Sequence, residues 1–304
     1  VPYDSIVCVK QVPDTANITA EAMKEDGTVN RGALPTIFNP EDLHALETAL
    51  EVRDEYGGTV TVVTMGPPKA ADVLRDCLFR GADRAILLTD RRAAASDTLA
   101  TSYILAQAVK TIGRYDFVFC GRQAIDGDTA QVGPQCAEKL GIPQITYLEK
   151  LVSVHDRVAR IRRNIGHGWE IVEARLPVLV TVIESANEAR PQAAKRVMRK
   201  KWARVPAEVA AEAKAAMPDA SDEQLAAETQ RRIEALKAAG LLLEQWDLDN
   251  IGADLQRCGL AGSPTKVHRV QAIVLTKEGF TDVPPTAAGV GQMVHELVVD
   301  RTWG

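Results

Sequence analysis

CGRQAIDGDTAQVG, residues 120–133, continues an apolar run, Phe117, Val118, Phe119 and Cys120, that has the composition of a buried strand. Gly121 is the first residue able to bend sharply out of that strand. A loop and then a helix are expected. Asp128 is placed as an N-cap, residues 129–140 supply the helix, and Gly141 with Pro143 supply the stop signals. Strand, glycine-bearing loop and helix start make an anion-binding geometry. The free N–H groups of a first helical turn and the positive end of its dipole favour phosphate, while Gly121, Gly127 and Gly133 permit close backbone approach. Arg122, Gln123, Asp126, Asp128, Thr129 and Gln131 make this loop more polar than the folding of a crossover requires.

Upstream the same rhythm repeats. Residues 5–9 form a first β-branched strand that exits at Lys10, Gln11 and Pro13. Residues 59–65 form a second, stopped by Gly66-Pro67-Pro68, and a helix over 69–80 closes at Gly81 before a third strand over 84–90. Asn39-Pro40-Glu41-Asp42 opens a helix with Leu43, Leu46 and Leu50 at helical spacing. Asn39 is expected to cap it, Pro40 to fill its first position, and the two acids to meet its dipole. A polar knot, Ser96-Asp97-Thr98-Leu99-Ala100-Thr101-Ser102, opens another helix that runs to about Ile112, and serves either the helix end or a phosphate. Strand and helix in alternation predict right-handed crossovers and an α/β fold with a mostly parallel, doubly wound nucleotide-binding sheet. Ligands of such sheets sit outside the carboxyl ends of the strands.

After Leu140 the rhythm changes. Residues 145–148, 151–154, 158–162, 169–173 and 177–183 are short and β-rich, separated by turns such as His155-Asp156 and Gly166-His167-Gly168, and predict an antiparallel elaboration. Residues 203–243 predict an inserted helical hairpin. Pro206 starts its first helix, Met217-Pro218 ends it, Ser221 and Gln224 form a capping box, and Gly240 ends the second helix. This hairpin is a docked structural element or a partner surface. From 262 onward the chain is polar apart from 270–276 and 294–299, as expected of an extended C-terminal arm. The expected domains are a core over 1–202, the hairpin over 203–243 and the arm over 244–304.

The 304 residues, 46% of them hydrophobic, suffice for one large or two ordinary domains. With 36 basic against 41 acidic residues the formal net charge is −5, so no basic field points to nucleic acid or to an anionic membrane. Five cysteines, Cys8, Cys77, Cys120, Cys136 and Cys258, are odd in number and form no C-x-x-C pair, which implies neither a disulfide framework nor a zinc or iron–sulfur site. Val1-Pro2-Tyr3-Asp4 leads into a strand without the features of a signal peptide, and no apolar run reaches the roughly 18 residues of a membrane span. A cytoplasmic protein is expected. His44, His155, His167, His268 and His295 are scattered and none is expected to be catalytic.

Residues 121–133 resemble the nucleotide-binding signature of the β subunits of electron-transfer flavoproteins, G-[KR]-Q-A-I-D-x-D-x-x-Q-x-G. Asn39, Pro40, Ala45, Leu46 and Glu47 are similar to that family's N-P-x-x-x-x-A-[LV]-E segment with one spacing residue fewer. Pro177-Val178-Leu179-Val180-Thr181, Asn187-Glu188-Ala189-Arg190 and Gly259-Leu260-Ala261-Gly262-Ser263-Pro264-Thr265 resemble further family segments. Asn164-Ile165-Gly166-His167-Gly168-Trp169 departs from an acidic family signature, and Ala189 replaces a usual proline. The likeness covers roughly residues 1–200 and 245–304.

The resemblance implies an α-subunit partner carrying its own FAD. In this family ordinary β subunits hold AMP, whereas the NADH-oxidising, electron-bifurcating group holds FAD in the same cleft, and the 97–102 knot is similar to the D-T-x-A-T-S of that second group. The implied function is acceptance of hydride from NADH and division of the electrons between ferredoxin or flavodoxin and the α-subunit FAD, which serves an acyl-CoA dehydrogenase or quinone reductase. Residues 192–201, rich in Lys and Arg, correspond to the segment that recognises a partner dehydrogenase. The implied cofactor contacts are Cys8, Lys10, Asn39, Asp42, Met65, Gly66, Asp97, Thr98, Thr101, Gly121, Arg122, Gln123, Asp126, Gly127, Asp128, Thr129, Ala130, Gln131, Val132 and Gly133. Hydride transfer to a flavin needs no nucleophile–base pair, so no catalytic side chain and no metal are expected. An AMP-holding carrier without NADH chemistry and a non-redox adenine-nucleotide module are the rival readings.

Overall fold

The structure is a computed structural model that describes residues 1–14, 35–266 and 282–299. Two compact units are present, Val1–His268 and Arg269–Gly304. In the first, β1 (Ser5–Cys8), β2 (Gln11–Pro13), β3 (Thr36–Phe38) and α1 (Pro40–Tyr56) are followed by β4 (Val60–Met65), α2 (Ala71–Arg80) and β5 (Arg84–Leu88). Next come α3 (Thr98–Ile112), β6 (Phe117–Gly121), α4 (Val132–Leu140), β7 (Gln144–His155), β8 (Val158–Asn164), β9 (Trp169–Arg175) and β10 (Val178–Val182). The unit continues with α5 (Ala194–Lys200), α6 (Pro206–Ala216), α7 (Asp222–Ala238) and β11 (Glu244–Trp246). The second unit carries α8 (Ala287–Val299).

Nine strands form one sheet in the order β11-β5-β4-β1-β6-β10-β7-β8-β9. All neighbours from β11 to β7 are parallel, and only β7-β8-β9 run antiparallel. The expected parallel, doubly wound sheet is therefore present. Its β1, β4 and β6 alternate between two buried faces, as a sheet covered on both sides requires. Val7, Val60, Val62, Phe117 and Phe119 pack with α1 and α2, while Ile6, Val63, Val118 and Leu179 pack with α3 and α4. The chain leaves β1 for β4 on one side, then returns through α3 to β6 on the other. That reversal is the topological switch point of the sheet, and Cys8 faces Cys120 across it in register.

Three expectations need correction. The spacing of short β-rich runs puts residues 177–183 within the antiparallel elaboration, but β10 lies in the parallel core between β6 and β7. Its continuous burial is the signature of a central parallel strand, which spacing alone does not reveal. Residues 145–148 and 151–154 are one strand, β7, whose register breaks between Leu148 and Lys150 and again between Leu151 and Ser153. The helix expected from residue 69 opens with a 3-10 turn, Pro68–Ala70, before α2 begins. The stretch 270–276 lies outside the described residues.

Within residues 203–243 the chain forms two helices, α6 and α7. Ser221 Oγ accepts from the Gln224 amide at 3.3 Å and the Gln224 side chain returns to the Ser221 amide at 3.0 Å, the expected capping box. Val205, Val209 and Ala213 are buried, and Glu208 takes both nitrogens of the nearly buried Arg75 of α2 at 2.9 Å each. The hairpin is docked on the core through α6; no residue of α7 is buried.

Candidate functional site

A cleft of 370 Å³ opens at the switch point between β1 and β6, walled by the loop after β6 and by the start of α3. It gathers Cys8, Lys10, Asp42, Met65, Asp97, Thr98, Thr101, Gly121, Arg122, Gln123, Gly127, Asp128, Thr129, Ala130, Gln131, Val132 and Gly133. Asn39, Gly66 and Asp126 are not on its wall. Val9, Ser96, Leu105, Cys120 and Ala124 are, although the expected cofactor contacts do not include them. Leu105 carries a readable signal, since Thr98, Thr101 and Leu105 fall at i, i+3 and i+7 of one helical face.

Three residues at the start of α1, Asn39, Glu41 and Asp42, hold the loop after β6. Asn39 is expected from sequence to cap α1, but its side chain makes no cap bond. Fully buried, it donates to Gln123 O at 2.9 Å and accepts from the Ile125 amide at 3.1 Å. Glu41 accepts from the Gln123 amide at 2.7 Å and pairs with Arg122 at 2.7 Å. Asp42 accepts from the Gly121 amide and the Lys10 amide, each at 2.9 Å, and so joins the ends of β6 and β1. Burial pushes the Asp42 carboxyl up to about 7 and raises that of Glu41, against the pull of these amides and, for Glu41, of Arg122. Gly121 is required for this contact, because a Cβ there would lie 2.6 Å from Asp42 Oδ1.

Asp128 does not cap α4, which begins at Val132. Asp128 and Ala130 have φ of 53° and 52°, and Gln131 is right-handed. Residues in alternating hand turn successive N–H groups to one side and form a nest for an anion. Among the described residues the amides of Thr129, Ala130, Gln131, Val132 and Gly133 have no acceptor. A left-handed alanine costs about 1–2 kcal/mol, a strain that the fold keeps at this cleft. Gly133 is expected from sequence to admit a phosphate, yet a Cβ there would lie 2.8 Å from both Cys120 Sγ and Thr181 Cγ2. The missing side chain lets α4 seat against the sheet.

The cleft's two cations are already engaged. Lys10 pairs with Asp126 at 2.7 Å and Arg122 with Glu41. The unpaired donors left on the cleft wall are the backbone amides, with the Thr98 hydroxyl, which donates to Gln131 Oε1 at 2.9 Å, beside them. Asp97 is a helix cap. One carboxylate oxygen accepts from the Ala100 amide and the other from the Thr265 amide, both at 3.0 Å. Burial works to raise its carboxyl, yet these amides and the Ser263 hydroxyl hold it below the usual range. Cys8 and Cys120 lie side by side on the cleft floor, and burial raises both thiols well above the ordinary value, so neither is a ready thiolate. His44 is bound to Asn187 at 2.9 Å and takes no part in the cleft.

Among the described residues all five cysteines are free, no cluster of His, Cys, Asp and Glu could hold a metal, and no helix is long and apolar enough to cross a membrane.

Residues 26–213 match the electron transfer flavoprotein domain family. Over 292 residues the chain is 39% identical to the electron transfer flavoprotein subunit beta of Clostridium acetobutylicum, with 96% of each chain covered. Protein FixA of Azorhizobium caulinodans is 41% identical over 300 residues, covering 95% of this chain and 92% of FixA. The caffeyl-CoA reductase-Etf complex subunit CarD of Acetobacterium woodii is 36% identical over 300 residues, covering 98% and 94%. A cleft at the switch point of a parallel sheet, lined by the loop that carries the family signature, agrees with those matches: the chain belongs to the electron transfer flavoprotein family, as a β subunit.

Proposed function

We propose that this β subunit binds FAD in the switch-point cleft, takes electrons from NADH, and divides them between a low-potential carrier, ferredoxin or flavodoxin, and the FAD of an α subunit. The α subunit would then serve an acyl-CoA dehydrogenase or a quinone reductase. One observation carries the reading: five consecutive backbone amides without acceptors, held in a strained nest at the start of α4 and opposite the Thr98 hydroxyl. A pyrophosphate supplies the acceptors that this nest lacks. When bound, FAD supplies two-electron acceptance from NADH and one-electron release to separate carriers. The chain's own residues bind and orient. The nest holds phosphate, Glu41 and Asn39 fix the loop, and the apolar stretch of Cys8, Val9, Met65 and Leu105 keeps water from one wall.

The name of CarD, a subunit of a caffeyl-CoA reductase complex, supports a CoA-ester partner for the assembled protein. Helix α5 offers it a basic surface with Met198 exposed, and Trp202 is exposed just beyond the helix. A reducing, cytoplasmic setting fits the free cysteines. The AMP-holding alternative is favoured by one fact, that Asp97 is spent as a cap and leaves the knot with only hydroxyls for a second phosphate.

An acid extract of the co-purified αβ complex separates the readings. Two FAD per pair is the expected result. One FAD with one AMP would make it the ordinary carrier, and absence of flavin would make it a non-redox nucleotide module.

A further inference from the structure

Two thiols stand on the floor of the switch-point cleft. Cys8 ends β1, Cys120 lies one residue before the end of β6, and the parallel ladder sets the two in register. Residues in register on neighbouring strands point to the same face. That face is the one packed with α3 and α4, because Ile6 and Val118, two residues earlier on each strand, lie in the same apolar cluster. Both thiols line the cleft, Cys8 half-buried and Cys120 buried. The other three cysteines, Cys77, Cys136 and Cys258, are at most 2% exposed and do not line it, so this pair alone is open to a ligand there.

Spacing and charge decide what such a pair takes. Neighbouring strands are about 4.8 Å apart, so the two β-carbons keep about that separation, wider than the roughly 3.5–4.5 Å of a disulfide. Both cysteines are free. A single atom bonded to both sulfurs bridges the gap. Among the described residues no third His, Cys, Asp or Glu joins the pair in a group fit to hold a metal ion, which makes zinc, with its four ligands, unsuited. Burial, the neighbouring thiols and the Asp42 carboxyl all work against a thiolate, so an electrophile that needs one is disfavoured. A trivalent arsenical with one organic substituent meets each of these limits. It takes two thiols and no more, it is uncharged, and it removes both thiol protons itself. Two As–O and two S–H bonds break, two As–S bonds form, and the oxygens leave as two waters with arsenic still trivalent.

We infer that Cys8 and Cys120 form a chelating site for a monosubstituted trivalent arsenical, whose organic group lies along the apolar wall of Val9, Met65 and Leu105. The arsenical shares the cleft floor with the cofactor, so the two exclude one another. This exclusion rests on the reading of the cleft as the cofactor site.

The probe is phenylarsine oxide, which hydrates to the dihydroxy form in water. It is added to the full-length αβ complex after bound nucleotide has been dialysed away, excess glutathione then strips arsenic held by a single thiol, and the mass of the β subunit is read. One phenylarsenic group per β subunit is expected in the parent and in Cys77→Ala. The yield should be about tenfold lower in Cys8→Ala and in Cys120→Ala, because the second bond is an intramolecular step that a lone thiol cannot make. Cys120 touches the seat of α4, so Cys120→Ser, which keeps the size, is read beside it. Parent-level labelling of the Cys8 or Cys120 variants, or no label on the nucleotide-free parent, would overturn the inference. With FAD present at ten times its dissociation constant, labelling of the parent should slow about tenfold. An unchanged rate would instead remove the cofactor from this floor and leave the dithiol site standing.

Discussion

Burial pushes the Asp42 carboxyl up to about 7 while two backbone amides pull the other way. In the unfolded chain a carboxyl of this type titrates at about 3.9, so between about pH 4 and 7 the folded state keeps a proton that the unfolded state has released. The stability this residue contributes is complete below about pH 4 and is lost as pH rises to about 7. Asp42→Asn cannot titrate. Urea unfolding from pH 5 to pH 7.5 should show the parent losing on the order of 2 kcal/mol more than the variant, and parallel slopes would mean that Asp42 is ionised throughout. At every pH the variant should also be weaker, because an amide cannot accept from both Gly121 and Lys10. Gly133 makes a second contest visible. Were it there to admit phosphate, Gly133→Ala would fold normally and lose only cofactor. The contacts with Cys120 and Thr181 instead predict a fall in unfolding free energy of about 1–3 kcal/mol even without cofactor, read by thermal or urea denaturation.

At the scale of elements, the start of α1 and the loop after β6 form one unit joined by side-chain to main-chain bonds rather than by apolar contact. Sequence places both correctly and misses their bond, because an Asn-Pro-Glu-Asp helix start already explains itself as a cap. Only the folded chain shows that Asn39, Glu41 and Asp42 point at another loop. The same holds for Asn187-Glu188-Ala189-Arg190. Asn187 binds His44 O at 3.0 Å and Thr48 Oγ1 at 2.9 Å, and Arg190 meets Glu47 at 2.9 Å, which fastens the stretch after β10 to α1. The helical hairpin of α6 and α7 is fastened by fewer groups. Arg75 reaches Glu208, Ala203 O and Asp72, with only its own edge exposed. Arg75→Ala should therefore cost about 2–4 kcal/mol, since it strands a half-buried carboxylate and a carbonyl. It should also open residues 217–221 to limited proteolysis before the sheet unfolds. Proteolysis no faster than that of the parent would show that apolar contact of Val209 and Ala213 alone holds the hairpin.

For the whole molecule, the sheet was legible because β4 and β6 are apolar runs ended at Gly66 and Gly121, and α1, α2, α3 and α4 stop at Gly57, Gly81, Gly113 and Gly141. The place of β10 was not legible, since strand order is fixed by packing between distant segments and not by spacing. The cleft was legible as a set of residues but not in how they are partnered: Lys10 and Arg122 are neutralised, Asp97 caps, and the backbone amides at the start of α4 are left without acceptors. Beyond the cleft, the segment from Gly259 to Thr265 belongs to the core. Ser263 Oγ accepts from the Asp97 amide at 2.8 Å, and the Thr265 amide donates to Asp97 at 3.0 Å. Helix α8, nearer the C-terminus, differs in character. It has no buried residue, yet Val290, Met293, Val294 and Leu297 recur at i, i+3, i+4 and i+7, a stripe that needs a surface to cover it. We expect that surface to be the α subunit. A chain ending at Thr265 keeps the tie to Asp97, so its melting temperature and its cleft should match the parent's, while its co-purification with the α subunit should fall sharply. A chain ending at Cys258 loses the tie as well and should lose cofactor along with partner. If the chain ending at Thr265 assembles as well as the parent, the arm does not carry the association, and the stripe on α8 answers to something else.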